Sequence, residues 1–152
     1  LNKGIQQGVE PEMGVISSNG VVGIVKDVSD NFSTVLSILH KNSSISAKIA
    51  GKDYFGSLIW DGKDFKYGVL KDIPSHVKIK NGARILTSGY SAIFPEGVLI
   101  GIIDGFELIP GDNSYTITVK FSEDYSNLSL VYVVRNLLKN EQDSIETNVL
   151  NE

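Results

Sequence analysis

A histidine, an aspartate and a serine that could form a catalytic triad are all present in the chain. A trypsin-like hydrolase would draw on His40, on Asp61 or Asp72, and on Ser88. In that class the serine lies in a Gly-Asp-Ser-Gly turn, whose backbone N–H groups form the oxyanion hole. Ser88 lies instead in the run LTSGY at 86–90, and no Gly-x-Ser-x-Gly turn occurs elsewhere. The sequence therefore predicts no catalytic residues and no enzyme, and a hydrolase remnant is the alternative.

Metal and cofactor chemistry find little support in the sequence. Cysteine is absent, and the two histidines, His40 and His76, do not have the spacing of a ligand pair. Asp61, Asp64 and Asp72 lack the alternating oxygen ligands and the late glutamate of a calcium loop. Neither a G-x-x-x-x-G-K loop nor a G-x-G-x-x-G run is present. We expect no metal and no cofactor.

Aromatic residues gather in a predicted hairpin at 53–70, and they suggest a binding surface. The net charge of −4 and the scattered lysines argue against nucleic acid, because a nucleic-acid surface needs clustered positive charge. Trp and Tyr are favoured at protein–protein interfaces. We therefore predict that the cluster is part core and part contact surface, with partner contacts at Tyr54, Trp60 and Tyr67. A place in the core alone is the alternative. A glycan-binding module, with an exposed platform of Trp60 and either tyrosine, is the alternative.

The elements that would position these residues are strands. Glycine, valine, isoleucine and serine are plentiful, and turn signals such as Asp61-Gly62 and Asn81-Gly82 recur about every 8–12 residues, the spacing of sandwiches and barrels. Strands without covering helices need closure or a second sheet to protect their edges. The fold class predicted is all-β, with two small closed or partly open β-barrels.

A faint internal echo suggests how the strands are divided. The run VVGIV at 21–25 resembles LIGII at 99–103, and each precedes an alternating strand. We therefore expect one discontinuous barrel and one inserted barrel. A continuous division near residue 80 is the alternative. The full division has a lead-in at 1–13, a first barrel at 14–41 plus 97–138, an inserted second barrel at 42–96 and a disordered tail at 139–152.

Three blocks of sequence resemble the rod shape-determining protein MreC family. The first is the entry segment at 1–16, and the second is GVVGIV at 20–25. The third runs from LTSG at 86–89 through FPEGV at 94–98 to a further glycine. Ile24, where the family commonly has arginine, departs from the pattern. The matching positions, read as structural or interface residues, are Gly20, Gly23, Thr87, Ser88, Gly89, Phe94, Pro95, Gly97 and Gly101.

The resemblance implies a scaffold that organises cell-wall elongation enzymes and so maintains bacterial cell shape. It implies self-association as a dimer or filament, and partners that include penicillin-binding protein 2 and an MreD-type membrane protein. It also implies a place on the extracytoplasmic, periplasmic face of the cytoplasmic membrane. Anchoring would come from an upstream transmembrane helix absent from this fragment, followed by a coiled coil that leads into 1–13.

Overall fold

The structure is a computed structural model that describes residues 1–137 and residues 145, 148 and 149. The all-β prediction is confirmed, because the regular elements of residues 1–137 are strands after one short 3-10 helix, Ile5–Gln7. The strands are β1 (Gly14–Ile16), β2 (Val21–Val28), β3 (Ser33–Ser37), β4 (Ser44–Ile49), β5 (Phe55–Ile59), β6 (Tyr67–Pro74), β7 (Arg84–Thr87), β8 (Leu99–Glu107), β9 (Ser114–Phe121) and β10 (Tyr132–Val134).

The first and last strands form a small open sheet, which we call the sheet unit. Its order is β10-β1-β2-β3, and every pairing is antiparallel. One face is apolar because valines alternate toward it, and Val9 and Met13 of the lead-in cover that face. The pairing of β10 with β1 makes this unit discontinuous in sequence, since residues 38–131 lie between its strands.

The other six strands close into a barrel in the order β4-β5-β6-β9-β8-β7. Strand β4 shows why these sequences close, because Ile45, Ala47 and Ile49 point inward and the serines and lysine between them point out. A bulge in β6 between Leu70 and Ile73 lets that strand run on to Pro74, which pairs with Ser114. The strand therefore extends beyond residue 70, the end of the predicted hairpin.

The barrel lies between β3 and β10 in the sequence and so divides the sheet unit. Strands β8 and β9 lie within 97–138, the second part of the expected first barrel, but they pair with β7 and β6 and not with the strands of 14–41. Ile100, Ile103 and Ile117 fill the same core as Ile45 and Leu58. Without β8 and β9 the wall would be open between β7 and β6, so the inserted unit spans 44–121.

The described residues include all of the lead-in at 1–13 but little of the tail. The lead-in begins beside β3, where Leu1 exchanges backbone hydrogen bonds with Ser33 at 2.7 and 3.1 Å. It then forms the 3-10 turn Ile5–Gln7. The tail at 139–152 lies outside the described residues except for three positions. Within the part of the chain that is described, no helix has the length and apolarity to cross a membrane.

Candidate functional site

The loop between β7 and β8 carries most of the family-like motif, and its side chains hold the loop together. Thr87 is buried, and its hydroxyl donates to the Pro95 carbonyl at 2.7 Å and accepts from the Val98 N–H at 2.8 Å. Gly89 and Gly97 adopt φ values of 74° and 94°, a left-handed conformation that side chains disfavour. These contacts make the motif architectural, as a turn between two barrel strands requires.

Ser88 is bonded to backbone and to another serine, so the hypothetical triad is not assembled. Its hydroxyl lies 2.7 Å from the hydroxyl of Ser46 and accepts from the Tyr90 N–H at 3.1 Å. The imidazole of His40 accepts a hydrogen bond from the Asn42 N–H at 3.0 Å. Among the described residues no hydrogen bond joins a histidine to Ser88, and no cluster of side chains has the make-up of a metal site.

Phe94 connects the motif loop to the sheet unit. Its side chain is only 2% exposed, and its ring lies against Gly14 of β1. Val21 and Ile38 of the sheet-unit segment also belong to the barrel's hydrophobic cluster. The units therefore share one apolar junction, and Phe94 is a buried anchor that a partner would not reach in the folded chain.

The other motif glycines lie where two strands come close together. A β-carbon at Gly20, Gly23 or Gly101 would meet the backbone carbonyl oxygen of a facing residue: Leu99, Leu36 and Lys120, respectively. The Gly20 contact crosses from the sheet unit to the barrel, and the others lie within one unit. All three positions therefore serve close packing.

Polar contacts reinforce the junction on its other side. The buried carboxylate of Glu123 accepts a hydrogen bond from the Ser17 hydroxyl, and the Tyr125 hydroxyl donates to the Val21 carbonyl at 2.6 Å. Burial, and secondarily the charge of Glu123, raises the pKa of the Tyr125 phenol well above its usual range. Tyr125 is thus held as a neutral donor between the two units.

Close by, the hydroxyl and the backbone N–H of Ser126 donate hydrogen bonds to the Asp124 carboxylate at 2.6 and 3.0 Å. These bonds favour the ionised carboxylate and lower the pKa of Asp124.

The predicted contact residues lie apart from one another. Trp60 is half-buried against the barrel core, and its indole N–H donates to the Asp64 carbonyl at 2.9 Å. Tyr54 is 41% exposed and packs edge-on against His76, with 3.1 Å between its hydroxyl and Nε2. Tyr67 is half-buried on β6, opposite Lys120. The exposed Trp–Tyr platform of the glycan alternative is not assembled.

One end of the barrel carries exposed apolar side chains, which we call the apolar rim. Phe106, near the end of β8, is 40% exposed, and Leu108 and Ile109, which follow the strand, are 47 and 53% exposed. Tyr115 of β9 packs edge-on against Phe106 with ring centroids 5.7 Å apart. Next to Tyr115, the start of β9 is joined to the end of β6, because the Ser75 N–H donates to the Asn113 carbonyl at 2.9 Å. These four apolar or aromatic positions, Phe106, Leu108, Ile109 and Tyr115, define the rim.

A second surface feature is a shallow cleft of about 350 Å³ on the outer barrel wall, which we call the serine cleft. The stacked rings of Phe55 and Tyr90, 4.5 Å apart at 23°, form one wall. Asp72 lies in it with a φ of 70°, a conformation rare for a residue other than glycine. Sequence reasoning missed Tyr90 and this cleft, because no local pattern places Tyr90 beside the hairpin. The alternate serines of β4, Ser44 and Ser46, were a weak signal for a polar outer face.

Comparison with known proteins shows the family. A family model described as rod shape-determining protein MreC, barrel core, matches residues 1–135. The cell shape-determining protein MreC of Listeria monocytogenes serovar 1/2a is 33% identical over 138 residues, which cover 89% of this chain and 47% of that protein. The chain thus spans about half the length of the relatives that it matches.

Solved structures of related proteins share the fold. MreC from Listeria monocytogenes superposes with a TM-score of 0.83 at 32% identity, over 89% of this chain and 66% of that one. MreC in a complex with penicillin-binding protein PBP2 from Helicobacter pylori superposes with a TM-score of 0.67 at 23% identity, over 86% of this chain and 82% of that one. The second likeness supports the fold alone.

Proposed function

The chain belongs to the MreC family of cell shape-determining proteins, and from this premise we propose that it is a non-catalytic scaffold that docks cell-wall elongation enzymes. The partner proposed first is an elongation-type penicillin-binding protein, since a relative of this fold has been solved in complex with PBP2. Self-association and an MreD-type membrane partner belong to the same proposal. So does a place outside the cytoplasmic membrane, with an upstream helical anchor.

The observation that carries the proposal is the apolar rim. Large apolar side chains that stay exposed next to one another mark interaction surfaces, because their exposure costs free energy that a partner recovers. Leu108 and Ile109 contribute little to the barrel core, since each is about half exposed. Phe106 is held in place by Tyr115, which lowers the entropic cost of using its ring as an anchor.

The predicted contacts at Tyr54, Trp60 and Tyr67 take unequal parts in this proposal. Tyr54 is exposed and packs against His76, so it fits a partner contact. Tyr67 presents only part of its ring on the barrel wall, beside Lys120. Trp60 is mainly a core residue, and we expect its replacement to affect folding before binding.

A non-catalytic role agrees with the arrangement of the candidate acid–base groups. The hydroxyl of Ser88 is engaged by Ser46, and the imidazole of His76 is engaged by Tyr54. A nucleophile needs an adjacent base to be activated, and the described residues bring none to Ser88. The hydrolase alternative therefore has no geometric support.

The test compares partner binding by one double variant and one single variant. In Leu108→Ser/Ile109→Ser the rim loses its two most exposed side chains, and in Phe32→Ser a side chain that is 61% exposed is removed from the β2–β3 turn as a matched control. Binding to a purified elongation-type penicillin-binding protein is measured by calorimetry, and mass by light scattering. We expect the rim variant to bind tenfold or more weakly, about 1.4 kcal/mol, and the control to bind normally.

An equal loss of binding affinity in the rim variant and in the Phe32→Ser control would show that the rim is not the docking surface. Unchanged binding in the rim variant would also remove the rim from the proposal. Thermal unfolding of both variants is measured alongside, and a shared Tm with the parent chain ensures that a binding loss is not a folding loss.

A further inference from the structure

We propose that the serine cleft is a binding site for a neutral saccharide chain, distinct from the apolar rim. The cleft lies on the outer faces of β4, β5 and β6 and beside the motif loop. Its volume of about 350 Å³ is that of a small-ligand site, where a few sugar units would fit. The residues that carry the inference are Ser44, Ser46, Ser57, Phe55, Asp72 and Tyr90.

The polar groups of the cleft are those that recognise sugar hydroxyls. Ser46 and Ser57 are directly opposite each other on β4 and β5, so two hydroxyls project side by side. A hydroxyl both donates and accepts, as a sugar hydroxyl does. The side chains of Ser44, Ser57 and Asp72 make no hydrogen bond or ion pair with any other described residue, so their capacity is open to a ligand.

The aromatic wall supplies the apolar half of saccharide recognition. One face of a pyranose ring is lined with C–H groups, and such a face packs on an aromatic ring. Tyr90 is 69% exposed, and its ring is kept in place by stacking on Phe55. Its backbone N–H donates a hydrogen bond to the Ser88 hydroxyl. A preorganised ring costs little entropy when a ligand packs on it.

Asp72 gives the lining of the cleft a negative charge. No lysine or arginine is among the described residues that line it, and Lys71, opposite Ser57 on β6, lies at its edge. Phosphates and carboxylates need positive donors, whereas a carboxylate accepts two hydrogen bonds from neighbouring sugar hydroxyls. The bulge in β6 aims Asp72 into the cleft at a positive φ, and strained residues of this kind concentrate at binding sites.

The test is a titration of the chain with two oligosaccharides, tetra-N-acetylchitotetraose and maltotetraose, followed by amide NMR shifts. We expect at least one sugar to shift the amides of residues 44, 46, 57, 72 and 90 saturably, with a Kd of roughly 1 mM. Tyr90→Ala and Asp72→Gly should each weaken binding tenfold or more. Glycine accepts the positive φ of residue 72, so the second variant removes the carboxylate without adding strain.

Two controls separate this site from other surfaces. Tyr132→Ala removes a tyrosine that is 51% exposed on β10, and it should leave sugar binding unchanged. The rim variant Leu108→Ser/Ile109→Ser should also bind sugar normally, so failure of one proposal does not affect the other. The inference is overturned if neither sugar gives saturable shifts at the cleft, or if Tyr90→Ala and Asp72→Gly bind sugar as the parent does.

Discussion

The ring of Phe94 lies so close to Gly14 that a β-carbon at residue 14 would be 2.5 Å from Phe94 Cε1. One residue belongs to the barrel's motif loop and the other to the first strand of the sheet unit. The contact requires glycine on one side and a large flat ring on the other. The barrel motif and the entry segment are therefore parts of one packing arrangement.

Replacing Phe94 with alanine should destabilise the chain strongly. The ring is 2% exposed, and its loss would leave a cavity between the two units. We expect a fall of about 3–5 kcal/mol in the free energy of unfolding, measured by urea denaturation. Phe32→Ala, at an exposed position, should change it by less than about 0.5 kcal/mol. Similar losses in the two variants would contradict a packing role for Phe94.

Thr87→Val should show how much the Thr87 hydroxyl, which holds the motif loop, contributes to the free energy of unfolding. Valine has nearly the same shape, so the change leaves the Val98 N–H without its side-chain acceptor and removes the donor to Pro95. We expect a loss of about 1–3 kcal/mol of unfolding free energy. Thr118→Val, on the exposed face of β9, is the control and should be nearly neutral. A neutral Thr87→Val would mean that the loop does not depend on this hydroxyl.

Gly89 and Gly97 of the motif loop allow the cost of a left-handed backbone to be measured separately from the cost of a steric clash. At Gly97 a β-carbon would have nothing within 4 Å, so Gly97→Ala should cost only the left-handed backbone penalty, about 1–2 kcal/mol. At Gly89 a β-carbon would also lie 2.9 Å from the Glu96 β-carbon. Gly89→Ala should therefore be the more destabilising in thermal unfolding. The reverse order would contradict the close approach of Glu96.

Tyr125 should make the stability of the chain fall at alkaline pH. Its pKa is raised in the folded state, so above the unfolded-state pKa of about 10 the unfolded chain loses a proton that the folded chain retains. Unfolding free energy should then decrease as pH rises above that value. In Tyr125→Phe the unfolding free energy should change less over this pH range. Near neutrality this variant should be less stable than the parent chain, because it lacks the hydrogen bond to the Val21 carbonyl.

The check on this prediction is urea denaturation at several pH values between neutrality and strongly alkaline conditions. Tyr132→Phe, which changes a tyrosine 51% exposed to solvent, is the matched control and should keep the slope of the parent chain. Parallel curves for the parent chain and Tyr125→Phe would show that the buried phenol is not the group responsible.

The sequence by itself determined the strands and their class. Alternation such as Ile45-Ser46-Ala47 and turn pairs such as Asp61-Gly62 are local signals. The first lies in β4, and the second lies between β5 and β6. The motif glycines and Thr87 were likewise visible in the sequence. Their architectural role followed once the loop contacts were known.

Only the tertiary structure decided which strands share a barrel and which exposed residues meet. The apolar alternation of β8 and β9 fits any β core, so the sequence could not assign Ile103 or Ile117 to the inserted barrel. Pairing over long sequence separations depends on closure of the whole wall, and no local pattern encodes it. For the same reason Tyr90 meets Phe55, and Phe94 meets Gly14, only after the chain has folded.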